Sequence, residues 1–161
     1  MTPTTKLDAQ FNRTRISEDD FSEAEDYLSA IRPKQDITIQ RALLLAAIVA
    51  YARPFTKNKD GSGDRSAPYL QASPTKMLTP EEQLLHRKLI NLRDEALAHS
   101  QYDRKAVRRT SGSAKGFVMQ GRLFDILSEN IDRGTFHAIC SKMKRHCNNK
   151  LFALNRKLSN L

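Results

Sequence analysis

From Phe136 to Leu158 apolar side chains recur at helical spacing: Phe136, Ile139, Cys140, Met143, Cys147, Leu151, Leu154 and Leu158. Steps of three and four keep these residues on one stripe of an α-helix and would scatter them over both faces of a strand. A helix expected from about Arg133 to about Leu158 must bury that stripe against other elements, so the rest of the chain has to supply partner helices. The other side carries Lys142, Lys144, Arg145 and Lys157 and reads as a solvated basic face. With only 6 Gly, 6 Pro and no Trp, the chain lacks the turn residues that a sandwich or barrel of many short strands requires.

Three further helices follow from local signals. Ser17 and Asp20 resemble a capping box, and Phe21, Ala24, Tyr27, Leu28 and Ile31 then repeat at helical spacing up to Pro33. Asp36 can cap a second helix through Ile39, Leu43, Ala46, Ala47 and Ala50, which Pro54 stops. Being apolar all round, that helix is expected to be the central buried one. Thr79-Pro80-Glu81-Glu82 opens a third helix, with an N-cap hydroxyl, Pro at the first position and acids at the positive end of the dipole. Its stripe is Leu85, Leu89, Leu92 and Ala96, and its end is expected near His99 or Ser100.

The expected fold is therefore mainly all-α, a four- to five-helix bundle. Residues 1–16 show no periodicity and read as a flexible tail, leaving 17–161 as one domain. Residues 54–78 form a long connection, flexible around Gly61-Ser62-Gly63, which lacks the residues of a phosphate loop. Lys105–Arg109 and Gly116–Leu123, flanking Thr110–Ser113, suggest a small β-hairpin or an extended loop.

The 161 residues are enough for one domain with a sizeable core. The longest apolar run, Ala42–Tyr51, is about half of what spans a bilayer. The N-terminus has no apolar signal core, so the expected location is the cytoplasm, with no membrane partner. Cys140 and Cys147 share a helix face about 10 Å apart along the axis, too far for a disulfide, and read as reduced core thiols. His137 and His146 lie close to them in sequence, but a closed zinc site needs four ligands, and no metal or cofactor is expected.

Charge is the strongest hint at a partner. Residues 1–100 carry 14 basic and 14 acidic side chains, whereas 101–161 carry 13 basic and 4 acidic, so the whole excess of +9 lies in the last third. Arg104, Lys105, Arg108, Arg109, Lys115 and Arg122 stand against the single acid Asp103. This pattern suits a polyanion such as RNA, or a face that serves solubility alone.

The chemistry-bearing stretch is Leu92-Arg93-Asp94-Glu95-Ala96-Leu97-Ala98-His99-Ser100. Arginine grips a phosphate with two prongs, and histidine moves protons near neutral pH, which together meet the needs of metal-free RNA cleavage. Glu95 and His99 are also spaced as an ordinary surface pair. The segment resembles the HEPN superfamily, whose signature is an Arg, usually a polar residue, and a His four to six residues on. Here Arg93, Asp94 and His99 fill those places, with five residues between the Arg and the His. Tyr51–Phe55 (YARPF) and Leu85–Ser100 also look like segments of bacterial proteins of that type.

The resemblance implies a helical bundle that dimerises and, in active members, a metal-independent endoribonuclease. Such enzymes leave a 2′,3′-cyclic phosphate and a 5′-hydroxyl, and many act as toxins or in defence. By resemblance, His99 is the general acid or base, Arg93 holds the scissile phosphate and Asp94 orients the Arg or the partner's His. In a straight α-helix, Arg93 and His99 stand about 9 Å apart along the axis and about 120° around it, which favours a site shared across a homodimer. The basic segment and the lysines of the last helix would track the RNA backbone. His86 reads as a groove-lining or an exposed histidine. Members paired with a nucleotidyltransferase antitoxin often carry Tyr two residues after the His; here Gln101 stands there and Tyr102 follows, which weakens silencing by adenylylation of that Tyr, while an antitoxin protein stays among the partners the resemblance implies. The rival readings are a module that binds RNA, DNA or a nucleotide without cutting it, and a dimeric protein-interaction subunit.

Overall fold

The computed structural model describes residues 6–56, 70, 73–97, 107–110, 118–121 and 125–159. It is an all-α helical bundle of α1 (Lys6–Ala30), α2 (Ile37–Ala52), α3 (Pro80–Asn91) and α4 (Arg133–Leu158). Short 3-10 turns lie at Arg53–Phe55, Ser73–Met77 and Ile126–Glu129. A two-stranded antiparallel pair joins β1 (Val107–Thr110) to β2 (Val118–Gly121), with Val107 opposite Gly121 and Thr110 opposite Val118. The strand pair overlaps the two segments expected to form the hairpin, and the residues between the two strands lie outside the described residues.

α1 packs along both α4 and α2, and α3 closes the bundle against α2 and α4. Phe21 and Ala24 of α1, Ile48 and Tyr51 of α2, Leu89 of α3, and Phe136, Ile139 and Met143 of α4 are all fully buried. The α4 stripe and its bounds are those its periodicity gives.

Two expectations about the first half are corrected. The helix expected from Ser17 begins at Lys6, so 6–16 are not a tail, and Ser17 is no cap. Thr14 and Ser17 are buried on the inner face, where their hydroxyls donate to the carbonyls of Gln10 (2.7 Å) and Arg13 (2.8 Å). Back-bonding of this kind lets a hydroxyl occupy a core position without an unpaired donor. The second correction concerns α2. Its first turn is half exposed at Ile37 and Ile39, its buried residues run from Leu44 to Ala52, and α1 rather than α2 sits between the other long helices. Asp36 does cap α2, accepting from the Thr38 amide at 2.8 Å. Ile37–Phe55 is long and apolar enough to cross a membrane by length and composition alone. Within it, Arg41 pairs with Asp125, and Arg53 with Asp20 and Glu23, which ties this segment to α1 and to the turn at Ile126–Glu129.

The long connection is anchored where it is described. The Leu70 amide donates to the Pro54 carbonyl at 2.7 Å, and Pro54, Leu70 and Leu78 are buried. Gly61, Ser62 and Gly63 lie outside the described residues.

α4 is also tied down by ions. Lys142 donates to both Glu82 oxygens (2.7 and 2.8 Å), while Lys144 and Ser141 both donate to Glu25. Glu82 and Glu25 are both buried. Lys142 and Lys144 therefore bridge α4 to α3 and α1, and do not belong to a free basic face.

Candidate functional site

The helix that carries the Arg motif is fixed at its start. Thr79 accepts from the Glu82 amide (3.3 Å) while the Glu82 carboxylate accepts from the Thr79 amide (2.8 Å), a closed capping box with Pro80 at the first position. Glu82 is thereby held by the cap and by Lys142 together, and both lower its pKa below the usual glutamate value, Lys142 the more strongly.

At Leu92 the α-helical ladder gives way to a π-helical turn over Leu92–Leu97. Turns of this kind are rare and concentrate at functional sites. Leu92 is buried in the core, and the next residue, Arg93, donates through Nη1 to Asp94 Oδ1 at 2.6 Å. Their side chains are 33% and 46% exposed, so the guanidinium stays accessible to a ligand. An exposed pair of this sort holds only about 0–1 kcal/mol and is readily exchanged for a phosphate. Because the turn is wider than an α-turn, the angle that a straight α-helix sets between positions 93 and 99 does not carry over. His99 lies outside the described residues, as do Arg104, Lys105, Lys115 and Arg122. Arg108 and Arg109 lie on β1, opposite Gln120 and Met119 in the strand register.

A second locus joins the end of α2 to the middle of α3. His86 of α3 is neither exposed nor free: its Nδ1 lies 2.7 Å from the Tyr51 hydroxyl. Tyr51 is fully buried, and burial raises its pKa well above that of free tyrosine, so the phenol keeps its proton. Among the described residues Nδ1 of His86 is the acceptor that this buried hydroxyl has, so Tyr51 donates and the ring proton of His86 resides on Nε2. Burial, then the nearby Arg87 charge, lowers the His86 pKa, which keeps the ring neutral. The imidazole stands edge-on to Tyr51 (centroids 5.8 Å) and to Phe55 (4.8 Å), and Phe21 packs on both aromatic rings. A pocket of about 350 Å³ opens beside it, lined by Phe55, Leu70, Gln83, His86, Arg87 and Ile90 among others. Sequence reasoning singles out His86 but gives it no partner, since Tyr51 lies 35 residues away.

Neither cysteine offers chemistry. Cys140 and Cys147 are free and buried, and burial pushes both thiols far above the ordinary value. Among the described residues no three His, Cys, Asp or Glu side chains cluster as a metal site would require.

The chain matches no family model, no curated protein and no solved structure.

Proposed function

We propose that the protein is a metal-independent endoribonuclease of HEPN type, acting as a homodimer on RNA in the cytoplasm. The observation that carries this reading is the placement of Arg93. It is an arginine side chain one-third exposed, on a π-helical turn, at the end of a helix closed by a capping box, paired with Asp94. Arg93 grips the non-bridging oxygens of the scissile phosphate in two-pronged fashion. His99 takes the proton of the 2′-hydroxyl, whose oxygen attacks phosphorus. The bond to the 5′-oxygen breaks, that oxygen receives a proton from the partner's His99, and the products are a 2′,3′-cyclic phosphate and a 5′-hydroxyl. Asp94 positions the guanidinium. The excess of +9 in residues 101–161, chiefly Arg104, Lys105, Arg108, Arg109, Lys115 and Arg122, holds the RNA backbone. A role as a toxin or defence protein belongs to the same reading.

The assay is cleavage of mixed RNA in EDTA with analysis of the ends. Fragments ending in cyclic phosphate, lost in Arg93→Ala and in His99→Ala, are the expected outcome. Binding without cleavage, unchanged by His99→Ala, establishes instead the non-catalytic RNA- or nucleotide-binding module, a reading that the pocket beside His86 favours.

A further inference from the structure

The pocket beside His86 has the chemistry of a nucleobase subsite. Its volume, about 350 Å³, falls within the roughly 300–1,000 Å³ range of small-molecule sites. Phe55, Leu70 and Ile90 supply apolar walls, and the Phe55 and His86 rings stand at 73° to each other with centroids 4.8 Å apart. The polar lining residues are Thr75, Gln83, His86 and Arg87, and they differ in kind. His86, with Nδ1 occupied by Tyr51, offers an Nε2–H donor. Gln83 has its amide nitrogen committed to the Leu78 carbonyl at 3.0 Å, which fixes the amide and leaves its oxygen as an acceptor. Arg87 is exposed at the rim and supplies a permanent cation. Donors and acceptors together, apolar walls and a cation among the lining residues suit the hydrogen-bonding edge of a base with its phosphate outside.

We infer that this pocket binds one unpaired base of a single-stranded RNA, with Gln83 and His86 reading its edge and Arg87 meeting the adjoining phosphate. The inference rests on the ribonuclease reading for its substrate class and adds the place where that substrate is selected. His86 and Arg93 are seven residues apart on one continuous helical segment, about 10 Å along the axis, a distance that a short stretch of single strand spans. The base in the pocket would set which phosphate reaches Arg93. The basic segment after residue 100 has few aromatic neighbours on which bases could stack, whereas this pocket draws one aromatic residue, Phe55, from a different part of the chain.

The test is the imidazole Cε1–H resonance of His86 in the full-length protein, identified by its loss in His86→Gln. It is followed in titrations with the four ribonucleoside 5′-monophosphates and with ribose 5-phosphate, which has no base. At least one nucleotide should shift the resonance saturably at millimolar concentration or below, and ribose 5-phosphate should not. Arg87→Ala and the volume-conserving Gln83→Met should each weaken that binding by about tenfold while both melt cooperatively near the parent temperature. No shift with any nucleotide, or an equal shift with ribose 5-phosphate, overturns the subsite. Metal-free RNA cleavage measured on the same samples separates the two claims. Cleavage without a nucleotide shift refutes the pocket alone, and a base-dependent shift without cleavage supports the pocket and refutes the nuclease.

Discussion

Tyr51 and His86 show what a single contact decides in this protein. The phenol is fully buried and has to donate, the imidazole accepts, and the result is a histidine whose charge and tautomer are both set. Tyr51→Phe keeps the ring and removes the donor. It should lower stability by about 1 kcal/mol, seen as a fall in melting temperature of about 2–4 °C, and an unchanged melt would show that the hydrogen bond contributes nothing. The pH dependence follows from the same residue. His86 has a folded pKa below the ordinary value of about 6.5, and so does His146, so the unfolded chain binds these protons first as pH falls. Their contribution is intact above about 6.5 and is lost progressively below it, before the carboxylates titrate. Melts between pH 5 and 8 should show this decline, reduced in His86→Phe; stability rising as pH falls through that window would contradict it. Cys140 and Cys147 should resist a thiol reagent in the native state and react at once in denaturant. Their burial was legible from the α4 stripe, but the Tyr51–His86 pair was not, because no local spacing connects residues that the fold alone brings together.

Apart from the Ser17–Asp20 box, helix signals that act within a few residues read correctly, and those that depend on distant partners did not. Thr79 with Glu82, Asp36, and the stripe of α4 gave their helices because caps and periodicity are properties of adjacent residues. The start of α1 was hidden because Thr14 and Ser17 occupy inner-face positions as hydroxyls, breaking the apolar pattern while satisfying themselves on their own helix. The π turn at Leu92–Leu97 has no sequence signature in this chain, although the Arg motif within it was visible. The basic face of α4 was misread for a different reason: Lys142 and Lys144 look solvated until Glu82 and Glu25, 60 and 119 residues away, are placed beside them. The capping box should matter for function as well as for stability, since it anchors the helix that presents Arg93. Thr79→Ala should cost about 1 kcal/mol in denaturant unfolding, and Glu82→Ala should cost more, because it removes the same cap and also strands Lys142. Equal costs for the two variants would show that the link from α3 to α4 is not stabilising.

For the molecule as a whole, the cations divide into those that pair with carboxylates across the bundle, such as Lys142 and Lys144, and those that the proposed RNA contact would use, such as Arg108 and Arg109. Lys142→Gln and Lys144→Gln should lower the melting temperature and leave RNA affinity nearly unchanged. Arg108→Gln with Arg109→Gln should do the opposite, reducing the slope of log affinity against log salt by about 0.7 for each phosphate that is no longer neutralised. A salt slope near zero for the parent protein would remove RNA from the account altogether. The helical bundle itself was legible from periodicity, few glycines and caps, whereas the site is legible only as far as Arg93 and Asp94, whose pairing needs no more than adjacency. The assay that bears most directly on the nuclease is single-turnover cleavage of RNA in EDTA by the parent protein and by the Arg93→Ala/His99→Ala double variant, with melts showing both to be folded. Cleavage by the parent to cyclic-phosphate ends, slower by at least about a hundredfold in the double variant, is the predicted result. Equal rates, or cleavage that EDTA abolishes in the parent, would contradict it.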